Sequence, residues 1–185
     1  AASDVYKRQL EDGVSPLIDQ TETLKIPKKS ERWGVGLDYN LLRECEVILI
    51  TVPTPVTSSK EPDLSFVKSA GVSVLSSIPR GQNRIVVLES TVYPGVTRKL
   101  LGDVCSDLNL VAGVDVTLAY CPERIDPGTD MGVSNIARVV GCDDPSIGFM
   151  LAEMYGKTTT ASSTYVGKME VAEASKMVEN LQRDI

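Results

Sequence analysis

Val47-Ile48-Leu49-Ile50-Thr51-Val52, followed at once by Pro53-Thr54-Pro55, is the stretch that decides the fold. Six uncharged, mostly β-branched residues make a strand that is apolar on both faces, as in a parallel sheet covered on each side. The prolines that follow have no N–H to give to a ladder, so the strand stops there. Three more such runs come later: Arg84-Ile85-Val86-Val87-Leu88-Glu89, Asp115-Val116-Thr117-Leu118-Ala119-Tyr120 and Ala137-Arg138-Val139-Val140.

Helical patterns separate them. Asp63 to Ile78 places Leu64, Val67, Val74 and Leu75 among its apolar positions and is expected to be capped by Asp63 or Ser65. Thr97 to Leu108 forms a second crossover helix, and Pro145 to Tyr155 a third, with Asp143 and Asp144 as candidate caps. Glu170 to Ile185 is helical in pattern, and the polar Thr158 to Thr164 before it is expected to be a domain-edge connection. Strand alternating with helix implies an α/β, Rossmann-like, doubly wound parallel sheet, in which ligands sit beyond the carboxyl ends of the strands.

Composition narrows the function. The 185 residues are 42% hydrophobic and 24% charged, as in an ordinary globular chain, and the apolar runs are too short to span a membrane. No membrane partner is expected, and a cytosolic location is. The net charge of -6 is spread without a basic stripe, so no nucleic-acid partner is expected; Lys28-Lys29 reads as a solvated loop. Cys45, Cys105, Cys121 and Cys142 lack metal-ligand or disulfide spacing and read as free thiols. The absence of histidine excludes Ser-His-Asp and Cys-His catalysis and His-ligated metal within this chain; no metal site is expected.

Candidate chemistry lies just after the strands. Thr54 and Thr91 put hydroxyls at the crevice rim, within Val52-Pro53-Thr54-Pro55 and Glu89-Ser90-Thr91-Val92-Tyr93-Pro94-Gly95, although each segment taken alone is also an ordinary turn. Glu123, between Pro122 and Arg124, would place a carboxylate at the same crevice as a base or water-positioning group; a loop ion pair is the plainer reading. On the last helix Lys176 and Asn180 are four apart and share a face, where an ammonium and an amide could stabilise an oxyanion. Spacing alone favours a solvated helix with Glu173–Lys176 pairing.

Taken in order, these segments with Lys60-Glu61-Pro62-Asp63-Leu64-Ser65, Pro122-Glu123-Arg124-Ile125-Asp126-Pro127-Gly128 and Glu173-Ala174-Ser175-Lys176-x-x-x-Asn180 resemble the UDP-glucose/GDP-mannose dehydrogenase family. The resemblance runs from about Gly13-Val14-Ser15-Pro16 to the last residue. The Tyr-Pro-Gly and Arg-Ile-Asp-Pro-Gly variants are similar to its UDP-N-acetylhexosamine branch. It implies NAD as cofactor, a UDP-sugar as substrate, a homodimer, and two oxidations at the sugar's carbon 6 through an enzyme-bound thiohemiacetal and thioester. Carried over, Val52, Pro53, Thr54, Ser90 and Thr91 bind the cofactor; Thr91 also orders a water. Glu123 assists thioester hydrolysis, and Lys176 and Asn180 hold the oxyanion.

The family's G-x-G-x-x-G loop and its cysteine nucleophile are expected outside the chain: Gly34-Val35-Gly36 has no further Gly at the required offset, and Cys121 is read as structural. Asp4-Val5-Tyr6-Lys7-Arg8-Gln9 back-translates as GAT GTG TAT AAG AGA CAG, resembling a transposase end used in sequencing libraries. The chain also lacks an initiator Met and a C-cap after its last helix. The expected organisation is therefore adaptor read-through at 1–9, a partial NAD-binding domain lacking its first βαβ unit at 10–165, and the start of a central dimerisation helix at 166–185. Such a fragment would bind NAD weakly, would not turn over, and would expose apolar faces. Other readings are a UDP-glucose dehydrogenase, an enzyme of the 6-phosphogluconate or 3-hydroxyacid dehydrogenase type, and a non-catalytic truncated binding module.

Overall fold

The computed structural model describes residues 36–122 and 136–183. Contacts divide the chain into two units, Ala1–Leu41 and Leu42–Ile185, and the elements below belong to the second. They are β1 (Val47–Ile50), α1 (Ser65–Ser77), β2 (Arg84–Leu88), a π-wound turn Thr97–Leu101 continuing as α2 (Gly102–Asp107), β3 (Val116–Tyr120), β4 (Arg138–Cys142), α3 (Pro145–Gly156), β5 (Ser163–Tyr165) and α4 (Met169–Arg183).

The strands form one sheet in the order β1-β2-β3-β4-β5. β1, β2 and β3 are parallel, with Ile50 opposite Leu88 and Leu88 opposite Tyr120, so their carboxyl ends are level. Two expectations are corrected here. β4 runs antiparallel to β3, pairing through Ala119–Cys142 and Tyr120–Gly141. An apolar run does not encode strand direction; the connection does, and here it leads through residues 123–135, outside the described part. The polar stretch expected to be a connection supplies β5, which pairs parallel to β4 at Ser163, Thr164 and Tyr165.

Alternation divides each central strand between two cores. Val86, Leu88, Val116 and Tyr120 pack with α1, α2, Met169 and Ala172, whereas Ile85, Val87, Ala119 and Cys121 pack under α3. On β1 the second face is thinly covered, and Leu49 stays 44% exposed. Asp144 caps α3, accepting from the amides of Ser146 and Ile147. The cap of α1 differs from expectation. Leu64 is the boundary residue, while Asp63 accepts from the Ser65 amide at 2.9 Å as an Asx turn one residue earlier. The Ser65 hydroxyl first, and then its amide, hold the Asp63 carboxyl below its usual pKa.

Candidate active site

The level strand ends bring two of the sequence motifs together. Thr51, Val52, Pro53 and Thr54 after β1 and Glu89, Ser90 and Thr91 after β2 line one cavity of about 340 Å³. All five predicted cofactor-binding residues are among them. Ser90 is only 7% exposed, and its hydroxyl donates to the Val52 carbonyl at 2.6 Å. It ties the two loops together, while Thr91 is exposed and Thr54 half-buried.

Glu89, not singled out from the sequence, shares this wall. Its Oε1 accepts from the Tyr155 hydroxyl of α3 at 2.5 Å, and the Arg138 guanidinium lies 5.6 Å from the centre of the Tyr155 ring. Burial, then the neighbouring Cys121 and Glu89, push the Tyr155 hydroxyl well above the usual tyrosine pKa, so it remains a donor. The available signal was an acidic residue closing an otherwise apolar strand.

Beyond Thr91 the chain turns at Tyr93-Pro94-Gly95-Val96, closed by the Val96 amide donating to the Tyr93 carbonyl at 3.2 Å. Pro94 fixes its own φ, and Gly95 takes φ +91°, a conformation side chains disfavour. The turn aims the next amides at α4, where the Glu173 carboxylate accepts from Gly95 N at 2.6 Å and Thr97 N at 2.9 Å. Glu173 is 0% exposed and Lys176 6%, so the solvated Glu–Lys helix face favoured by spacing is corrected. Helical spacing sets both beside Met169 and Ala172 on the face that packs against the sheet. Asn180 lies on α4, and Glu123 falls outside the described residues.

A second tie joins the same elements. Arg98 reaches Asp143 at 2.5 and 2.8 Å and Glu170 at 2.5 and 3.2 Å, holding both carboxyls below their usual pKa. None of the four cysteines is in a disulfide; Cys105, Cys121 and Cys142 are buried, Cys121 and Cys142 fully. Among the described residues no cluster could hold a metal, and no helix is long and apolar enough to cross a membrane.

The lining offers threonine hydroxyls and strand-end carbonyls able to hydrogen-bond a polar ligand, and the wall carries one acidic side chain with no cation among its lining residues. No glycine-rich phosphate cradle lies among the described residues.

The chain is 35% identical over 175 residues to the UDP-N-acetyl-D-glucosamine 6-dehydrogenase of Pseudomonas aeruginosa, covering 91% of this chain and 40% of that protein. It is 35% identical over 150 residues to the UDP-N-acetyl-D-mannosamine dehydrogenase of Escherichia coli K12, covering 77% and 35%. The chain thus spans about two fifths of the length of these curated relatives. Its fold superimposes on the NDP-N-acetyl-D-galactosaminuronic acid dehydrogenase of Methanosarcina mazei with a TM-score of 0.83 at 26% identity, covering 99% and 40%. On the GDP-mannose dehydrogenase of Pseudomonas aeruginosa the TM-score is 0.84 at 22% identity, covering 97% and 42%. Residues 6–159 match the NAD binding domain of the UDP-glucose/GDP-mannose dehydrogenase family, and the chain belongs to that family.

Proposed function

We propose that this chain is the cofactor-binding part of an NAD-dependent dehydrogenase that oxidises carbon 6 of a UDP-N-acetylhexosamine. The observation that carries the reading is the cavity at the level ends of β1 and β2, lined by Thr51–Thr54 and Glu89–Thr91, in a chain whose family domain binds NAD. The N-acetylhexosamine is favoured over glucose because the relatives at 35% identity carry UDP-N-acetyl-glucosamine and UDP-N-acetyl-mannosamine in their names. On this reading, 10–165 is the partial NAD-binding domain and 166–185 opens the dimerisation segment.

Bound NAD supplies the hydride acceptor. Val52, Pro53 and Thr54 wall its nicotinamide side, Ser90 holds the Val52 carbonyl in place, and Thr91, exposed at the mouth, orders a water. Lys176 reaches the interior from α4 and, with Asn180 a turn later, offsets charge developing on the sugar's oxygen. Glu123 assists hydrolysis of a thioester on a cysteine supplied by the complete protein. Residues of α4 also support a homodimer: Val171, Met177, Val178 and Leu181 are large apolar side chains left exposed along it.

The test is the product of the complete reading frame, recovered without transposon ends and assayed for NADH formation with UDP-N-acetyl-mannosamine, UDP-N-acetyl-glucosamine and UDP-glucose. NADH with an N-acetylhexosamine and not with UDP-glucose supports the reading, and no NADH with any of the three refutes it. In that enzyme Lys176→Ala and Glu123→Gln each lower kcat at least about 100-fold; near-normal turnover in either removes the role assigned to it.

A further inference from the structure

We propose that Glu173 is a positioning residue, setting the separation between the loop that carries Thr91 and the helix that carries Lys176. The inference rests on the dehydrogenase reading above. Its carboxylate is fully buried and reaches across 78 and 76 residues of sequence to the amides of Gly95 and Thr97. Both N–H groups stand where a helical segment begins and each meets one oxygen of the same side chain, Gly95 N at Oε2 and Thr97 N at Oε1, so a carboxyl group with two acceptor oxygens satisfies them together.

The geometry does more than cap a helix. Gly95 lies four residues after Thr91, in the turn that starts at Tyr93, and its φ of +91° carries the chain from that loop into the Thr97 segment. Lys176 lies one helical turn beyond Glu173, about 4.5 Å along the axis, and is likewise buried. One turn before it, Glu170 is held by Arg98, so α4 is fixed to the start of the Thr97 helical segment at two successive levels. The exposed pair tolerates loss, since water can solvate its ends. The buried one does not: without the carboxylate, two inward-pointing amides lose their acceptor. The chain beyond Ser90 and Lys176 can then drift apart, while the Thr51–Thr54 wall stays tied to the end of β2 by the Ser90 bond to the Val52 carbonyl.

The experiment uses the complete enzyme with Glu173→Gln and Glu173→Asp, and Leu151→Ala as a control for lost stability, because Leu151 is buried in the other core under α3. For Glu173→Gln the expected result is a fall in kcat of about 10- to 100-fold, for a displacement near 1 Å, with KM for NAD within about threefold of the parent. Part of the activity returns in Glu173→Asp, and Leu151→Ala of equal or greater thermal destabilisation keeps near-parental kcat. Equal kcat losses in Glu173→Gln and Leu151→Ala would make Glu173 a purely structural residue and overturn the proposal. If the parent makes no NADH with any sugar, the dehydrogenase reading fails, and the tie itself is read by amide exchange. Exchange at Gly95 and Thr97 at least tenfold faster in Glu173→Gln supports the placement, and unchanged exchange overturns it.

Discussion

Adding one methyl group at two glycines should have opposite effects. A Cβ at Gly141 of β4 would lie 2.7 Å from the Met169 Cα, 2.8 Å from the Lys168 carbonyl oxygen and 3.0 Å from the Ala172 Cβ. Two of these are backbone atoms, which cannot swing aside as a long side chain can. Carbon atoms rest at about 3.5 Å or more, so from 2.7 Å the start of α4 must retreat by about 0.8 Å. Overpacking of this kind costs about 1–3 kcal/mol; at roughly 2–4 °C per kcal/mol for a chain of this size, Tm falls about 2–12 °C. A Cβ at Gly102, in α2, meets nothing within 4 Å. There alanine restricts the unfolded chain and favours the helix, a gain of about 0.5–1 kcal/mol. Thermal unfolding followed by circular dichroism on the parent, Gly141→Ala and Gly102→Ala gives all three values. A Gly141→Ala within 0.5 kcal/mol of the parent would refute the close seating of α4 on β4, and with it the depth at which Glu173 and Lys176 are placed.

Other contacts give separate tests. Tyr155→Phe removes the hydroxyl that donates to Glu89 Oε1 and should cost about 1–2 kcal/mol in urea unfolding, the loss of a hydrogen bond to a carboxylate; no change would mean that water replaces the tyrosine without penalty. Arg98→Met should cost only about 0.5–1 kcal/mol at neutral pH, since guanidinium and carboxylates are partly exposed, and less at high salt. Asp143 and Glu170 are held below their ordinary 3.8 and 4.5, with Arg98 the leading cause for each. Their contribution is therefore complete above those values and lost as pH falls through the lowered ones, so the parent's advantage over Arg98→Met should shrink below about pH 4. An advantage constant down to pH 2.5 would deny the ion pairs. Burial also raises the Cys105 and Cys142 thiols above their ordinary pKa and covers Cys121, leaving Cys45 half-buried. A disulfide reagent at pH 8 should modify one thiol rapidly in the native protein and all four in denaturant; rapid modification of two or more would contradict the packing.

The sequence by itself determined what depends on near neighbours. Short apolar, β-branched runs gave β1 to β4 within two residues, a proline after an aspartate gave the capped start of α3, and the residues after β1 and β2 were placed at one rim because parallel strands end on the same side. Only the tertiary structure decided what depends on distant segments. The direction of β4 and the pairing of β5 are set by which edge is free when the chain arrives, and neither leaves a periodic mark. Glu173 and Lys176 read as surface charges because Glu–Lys spacing describes a solvated helix face equally well. Their burial follows from the placing of Met169 and Ala172 against the sheet and of the Gly95 and Thr97 amides opposite Glu173. A carboxylate can be buried when donors meet it there, and those donors lie more than seventy residues earlier in the chain.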